Sequence, residues 1–316
     1  MQNFNPIQLR HSLPQLLLVA MITAMSISHH ALADTDINPS EAAKSMHAKY
    51  SAIEQQLEKN QFNRPLVLES VETDHRLKGD IYAVVDYSFA AVTTSLNSPD
   101  HWCDIMHLHL NTKYCHATKT AGGNGSDNKP SAALKVYIGK KTPEELSEAS
   151  RVDFNYTQVA TTPEYMQIML SADQGPLGTN DYRIILEAIT LSKTKTFLHL
   201  TYSYSTGLSG RIAMQTYLAT VGHGKVGFTI NGKTPDGQPD YIGGVRGLME
   251  RNTMRYYLAI DSYLGAINAA PDAQLEKRLL SWFAATEKYP KQLHELDQND
   301  YMEMKRAEYT RQQNVK

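Results

Sequence analysis

Apolar residues fall at Ala43, Met46, Tyr50, Ile53 and Leu57, a spacing of three and four that lays one narrow stripe along a helix. Asn38-Pro39-Ser40-Glu41 precedes it with a cap residue, a proline for the first turn and a glutamate three positions after the cap. The period then changes. Leu66–Val71 and Asp80–Phe89 are rich in β-branched and aromatic residues and predict strands, with the polar stretch 72–79 as a turn between them. Two short helices are predicted next, over 90–96 and from Ser98-Pro99 through Trp102, Ile105 and Met106, followed by a strand over 114–120. Residues 121–130 (AGGNGSDNKP) read as a loop.

A train of strands follows, over 134–140, 152–160, 165–171, 182–191 and 196–205. Their short links, such as 161–163 and 192–195, predict an antiparallel meander. Within it Tyr182, Ile184, Leu186 and Ala188 alternate with Arg183 and Glu187, so one face is apolar and the other polar. A helix over 211–221 and a strand over 226–230 lead to a loop over 231–242. The longest helical pattern then runs from Val245 to Asn268, with Val245, Met249, Asn252, Tyr256, Ile260, Tyr263 and Ile267 as its stripe. Helices over 273–289 and 301–311 end the chain, and the last is so charged that it reads as a solvated face.

This order of elements resembles the helix-grip fold of the START and Bet v 1-like superfamily. The residues that carry the resemblance are Gly79–Phe89 with the helices through His109, the strands from Leu134 to Ser205, and Val245–Asn268. The extra helix and strand within 208–244 depart from the simple pattern. The expected fold class is α+β, a curved antiparallel sheet gripping a long C-terminal helix. It occupies a domain over 63–270, with helical extensions over 34–62 and 271–316. The resemblance implies a space between sheet and helix that holds a lipid or another apolar or amphipathic small molecule. Tyr182, Tyr202 and Tyr204 on the sheet, with Asn252 and Tyr256 on the helix, are the polar groups expected to face it. Transient membrane contact would accompany a carrier. An enzyme on the same scaffold is the rival reading, with His199, Glu187 or Asp86 as its acid or base. A cell-envelope assembly factor, docking through the charged C-terminal helix, is the third.

Charge and composition narrow these classes. Thirty-one basic against 33 acidic residues exclude a strongly basic nucleic-acid binder. Hydrophobic residues at 41% and charged residues at 20% exclude a mostly disordered chain. No apolar run reaches the ~20 residues of a membrane-spanning helix. Residues 1–33 read as a secretory leader: Arg10 near the start, an apolar stretch from Leu16 to Ile27, and Ala31-Leu32-Ala33 before Asp34. The expected address is periplasmic or secreted. Cys103 and Cys115 are the two cysteines, an even count that in an oxidising compartment predicts a disulfide.

Other clusters carry weaker chemistry. Cys103, His107, Cys115 and His116 could supply four metal ligands, yet their spacing matches no standard zinc pattern, and no metal or cofactor is expected. Ser209 lies between glycines in Gly207-Leu208-Ser209-Gly210, with His199, His223 and Asp181 as partners, but the stretch lacks the spacing of a nucleophile elbow. Asp236 and Asp240 sit in a turn with too few oxygens for calcium. Gly243-Gly244-Val245-Arg246-Gly247 opens the long helix, and its free N–H groups with Arg246 and Arg251 suggest an anion or headgroup site. The competing reading is a tight turn with arginines paired to Glu250.

Overall fold

The computed structural model describes residues 37–119, 132–220 and 224–314. The leader 1–33, the loop 121–130 and His223 lie outside the described residues. Eight strands form one sheet: β1 (Leu66–Glu72), β2 (Arg76–Val85), β3 (Thr112–Lys119), β4 (Ala132–Ile138), β5 (Ser150–Thr161), β6 (Tyr165–Gln174), β7 (Thr179–Thr190) and β8 (Thr196–Thr206). Their spatial order is β1-β2-β8-β7-β6-β5-β4-β3, with every pair antiparallel. The run from β4 to β8 is thus the meander expected from the short links, and β3 extends it at the β4 edge. Its hairpins close where Thr162 N–H meets the Tyr165 carbonyl and Leu191 N–H meets the Lys195 carbonyl. The β1–β2 hairpin joins through β2 and β8, with Gly79 opposite Tyr202.

The turn expected over 72–79 shrinks to residues 73–75, because β2 begins at Arg76. Alternation explains the difference. Arg76 and Lys78 belong to the outer face, while Leu77 points inward to the core.

The two faces of the sheet are buried by different partners. On the outer face, α1 (Pro39–Glu58) lays Ala43, Met46, Ile53 and Leu57 over Val67, Tyr82, Tyr165, Ile189 and Phe197. Asn38 caps this helix, its side chain accepting from Ser40 N–H at 3.1 Å. The inner face belongs to the main core, with α2 (Phe89–Leu96), α3 (Pro99–His107) and the long α5 (Gly244–Leu264). The disulfide Cys103–Cys115 forms, with a Cα–Cα distance of 5.2 Å, and ties α3 to β3. A closed loop of this length is worth roughly 3 kcal/mol in the chain-entropy account.

Helix α5 crosses the sheet at Gly79. A Cβ there would lie 2.2 Å from Thr253 Oγ1, so only glycine lets helix and strand approach this closely. The single stripe expected on α5 is too narrow a description. Nearly every residue from Gly247 to Leu264 is buried, including Glu250, Arg251 and Arg255. The reason is a third layer, in which α6 (Pro271–Thr286) and α7 (Pro290–Leu293) cover the side of α5 turned away from the sheet. Trp282 of α6 donates its indole N–H to the Arg255 carbonyl at 3.2 Å.

Between β8 and α5 the chain forms α4 (Leu208–Ala219) and a small hairpin, β9 (Ile230–Lys233) with β10 (Pro239–Tyr241). The loop expected over 231–242 is therefore a hairpin, turned by Gly237 at φ 81°. Of the strand expected over 226–230 only Ile230 is extended, as the start of β9, and 226–229 is an irregular segment held by the Glu250 carboxylate.

The last helix, α8 (Gln298–Asn314), also differs from expectation. It buries Tyr301, Met302, Met304, Lys305, Glu308 and Gln312 rather than presenting a wholly solvated surface. Lys305 Nζ donates to the His109 and Thr112 carbonyls at 2.7 and 2.8 Å, and Lys113 of β3 reaches Glu308 at 3.0 Å. Among the described residues no helix is long and apolar enough to cross a membrane.

Candidate functional site

Strand alternation brings the expected tyrosines together. Tyr182 of β7 and Tyr202 and Tyr204 of β8 all point to the inner face, where α5 adds Tyr256. Tyr182 lies on Tyr204 with ring centroids 5.1 Å apart, Tyr202 is 5.8 Å from Tyr204, and Tyr256 is 5.1 Å from Tyr202. Phe154 of β5 closes on Tyr182 edge-on, at 6.4 Å. All four tyrosines are buried. Among the described residues only the Tyr182 hydroxyl has a protein partner, Thr179 Oγ1 at 2.7 Å. Burial raises the Tyr182 and Tyr256 phenols well above their ordinary value, Tyr182 to about 12, so every hydroxyl in the cluster is a neutral donor.

Two further polar groups belong to this interior. His109, in the turn after α3, lies against Tyr256 with centroids 5.0 Å apart. Its Nε2 is buried without a hydrogen-bond partner, as is the hydroxyl of Tyr156 on β5. Burial, reinforced by Arg255 and Lys305, holds the His109 imidazole well below its ordinary pKa and therefore neutral. Sequence reading placed neither residue in the site. Asn252 is only half-buried and turns its amide oxygen to Arg255, at 3.4 Å. A cleft of about 260 Å³ opens at the end of β2 and β8, lined by Glu72, Leu77, Thr206, Met214, Gln215 and Val245. Leu77 stands directly opposite Tyr204 in the β2–β8 register.

The acid–base candidates sit elsewhere. His199 and Glu187 are on the outer face, with the sheet between them and the tyrosines. There His199 Nε2 meets Asp80 Oδ1 at 2.9 Å and Nδ1 meets Glu187 Oε2 at 2.8 Å. Tyr165 donates to the other oxygen of Glu187 at 2.6 Å, Lys78 pairs with Asp80 at 3.0 Å, and Tyr82 stacks on the imidazole at 4.2 Å. Burial alone would lower the His199 pKa, but its bonds to the two carboxylates outweigh burial and raise it. The ring is thus an imidazolium donating through both nitrogens. Asp86 is exposed and pairs with Lys195 at 3.6 Å.

At the glycine-rich start of α5 the two arginines diverge. Arg246 donates to Ser70 Oγ at 2.7 Å, while Arg251 is fully buried and donates to the Val226 carbonyl at 3.2 Å. The anion held here is the chain's own Glu250. It accepts from Phe228 N–H, Thr229 N–H, Thr229 Oγ1 and Ser70 Oγ at 2.6–2.9 Å. Gly227 permits the contact, since a Cβ there would meet Glu250 Oε2 at 2.5 Å.

The disulfide takes both cysteines out of the metal cluster considered above. His107 is buried against the Lys305 carbonyl at 3.0 Å, and burial with nearby lysines lowers its pKa to about 3. Ser209 falls in α4, and Asp181 is paired with Arg76 and Arg183. Asp236 caps its own hairpin turn by accepting from Thr234.

No protein-family model and no curated protein matches the chain. Solved structures do. One is an aromatase/cyclase from Streptomyces, with TM-score 0.30 and 12% identity over 47% of this chain and 86% of that one. A truncated norcoclaurine synthase from Thalictrum flavum gives TM-score 0.29 and 11% identity over 50% and 88%. The human StarD13 (DLC2) lipid transfer and protein localization domain gives TM-score 0.30 and 9% identity over 54% and 89%. The α+β architecture, an antiparallel sheet with a long helix across it, stands on this chain's own strand order and on the seat of α5 at Gly79.

Proposed function

We propose that this protein binds and carries an apolar small molecule between the inner face of the sheet and α5, and that it does so outside the cytoplasm after its leader is removed. One observation carries the reading. Four tyrosines from three elements converge on an apolar interior, and beside them the Tyr156 hydroxyl and the His109 Nε2 are buried without a hydrogen-bond partner. Interiors normally satisfy their polar groups. A ligand that is apolar in bulk with a polar end would satisfy these. The disulfide between α3 and β3 suits an oxidising compartment. Catalysis is not required, because the ionisable candidates His199 and Glu187 belong to the opposite face.

Mass spectrometry of the protein expressed with its own leader tests the whole proposal. The intact mass is expected to place cleavage before Asp34 and to lack two hydrogens at the cysteines. Native spectra are expected to show a small apolar adduct that disappears on denaturation. The combined change Tyr202→Phe, Tyr204→Phe and Tyr256→Phe should reduce its occupancy while leaving the fold intact. A wild-type protein that is empty from every source tried would remove the carrier reading.

A further inference from the structure

A different cavity opens beside the edge strand β1. It is a cleft of about 670 Å³, within the size range of small-molecule sites. Phe62 and Arg64, just before β1, line it with Tyr87 after β2, Asp261 near the end of α5, and Lys288 and Tyr289 after α6. None of the inner tyrosines Tyr182, Tyr202, Tyr204 and Tyr256 borders it. Residues 62–65 and 288–289 also lie outside the segments that carry the helix-grip resemblance.

Arg64 is fixed in the cleft by the chain itself. Its carbonyl accepts from Leu66 N–H at 2.7 Å and from Asn60 Nδ2 at 2.9 Å. Its Nη2 donates to the Tyr257 hydroxyl and to Asp261 Oδ2, both at 2.8 Å, and the guanidinium lies 4.9 Å from the Tyr257 ring centroid. Asn63, the residue before it, is in the left-handed region at φ 53°, a conformation that collects at functional sites. Half of this ion pair is unused. Arg64 Nη1 and Asp261 Oδ1 have no partner among the described residues, and the two side chains stay 23% and 27% exposed although paired. A second opposite pair stands at the rim. Lys288 is exposed and makes no ion pair among the described residues, and Asp86 is exposed and reaches Lys195 only at 3.6 Å. The remaining walls are aromatic, with Phe62 and Tyr289 packed at 6.1 Å between centroids.

The charges of the cleft balance, Arg64 and Lys288 against Asp86 and Asp261. A lone anion would meet two carboxylates, and a lone cation would meet two cations. A molecule that carries both charges answers both pairs. Arg64 and Asp261 are in direct contact, so the ligand's own charges must also be adjacent, as they are on an α-carbon. We propose that this cleft is a second binding site, for a free zwitterionic α-amino acid with an aromatic side chain. Its carboxylate meets Arg64 and Lys288, its ammonium meets Asp261 and Asp86, and its ring lies among Phe62, Tyr87 and Tyr289. The site shares no residue with the inner tyrosine cluster and stands independently of the carrier reading.

Three probes of one skeleton test it: L-phenylalanine, 3-phenylpropionate and phenethylamine, titrated by calorimetry into the full chain. L-Phenylalanine is expected to bind at least about tenfold tighter than either analogue, since each analogue leaves one charge of the cleft unanswered. Lys288→Ala and Asp86→Asn alter exposed side chains and should leave the fold intact. Lys288→Ala should weaken L-phenylalanine and 3-phenylpropionate about two- to fivefold and spare phenethylamine. Asp86→Asn should weaken L-phenylalanine and phenethylamine by a similar factor and spare 3-phenylpropionate. Binding of either analogue as tight as that of L-phenylalanine would overturn the ligand class. An L-phenylalanine affinity that neither variant changes would overturn the location. Failure of all three probes to bind would overturn the site itself, and none of these results touches the carrier reading, which is tested by its apolar adduct.

Discussion

At the scale of single residues, two positions concentrate consequences. Gly79 is where α5 touches the sheet. The atom a side chain would strike, Thr253 Oγ1, is itself fixed by a 2.8 Å bond to the Met249 carbonyl. Gly79→Ala should therefore cost about 1–3 kcal/mol through overpacking, read as a lower urea midpoint at unchanged slope. Adding Thr253→Ala should recover part of that loss, because the two residues are in contact. Full additivity of the two changes would mean that the helix is not seated there. His199 is the other position. Its pKa is raised, so the stability it contributes is complete below about pH 6.5 and fades as pH rises through its folded value. Asp80 and Glu187 are held below their ordinary values, where burial is outweighed by bonds from His199 with Thr201, Lys78 and Tyr165. Their contribution is complete above about pH 4.5 and fades as pH falls through their folded values. Stability from the cluster is thus greatest between about pH 4.5 and 6.5. His199→Gln leaves two adjacent buried carboxylates and should cost about 3 kcal/mol at pH 6. The deficit should narrow at acid pH as those carboxylates protonate. A deficit independent of pH would refute this account.

At the scale of elements, α8 departs most from what its composition implies. Lys113 and Lys305 are fully buried and lean on one carboxylate, Glu308. Burial lowers the Lys305 pKa to about 8, with Glu308 opposing the shift. Glu308→Gln should cost about 3–5 kcal/mol by leaving two buried ammonium groups without their anion. Thermal unfolding measures this, and a loss under 1 kcal/mol would show that α8 is peripheral. The same element marks the limit of sequence reading. Period-2 alternation and short links made the strands legible, and the stripe Ala43-Met46-Ile53-Leu57 made α1 legible, because those patterns are local. The carbonyls that accept from Lys305, those of His109 and Thr112, lie far along the chain, so nothing in the 301–311 pattern separates a buried lysine from a solvated one. His109 was missed for the same reason. It sits in an aperiodic turn, and its role comes only from Tyr256 across the core. The tyrosine cluster was readable because one alternation, Tyr202 and Tyr204 against Thr201 and Ser203, puts two of its members on one face.

At the scale of the whole molecule, the sheet closes between its early and late segments. The pairing of β2 with β8 joins residues 76–85 to 196–206, and α5 follows at 244–264. The outer helix α1 packs on β1, which follows it directly, and also on β6 and β7, strands made long after it. The β1–β2 hairpin and the β3–β8 meander pair strands that follow one another, whereas the β2–β8 pair joins segments far apart in the chain. Contacts of such long sequence separation form slowly, since loop closure must precede them. The central strand pair is thus a late step of assembly, and the sheet is whole only once it forms.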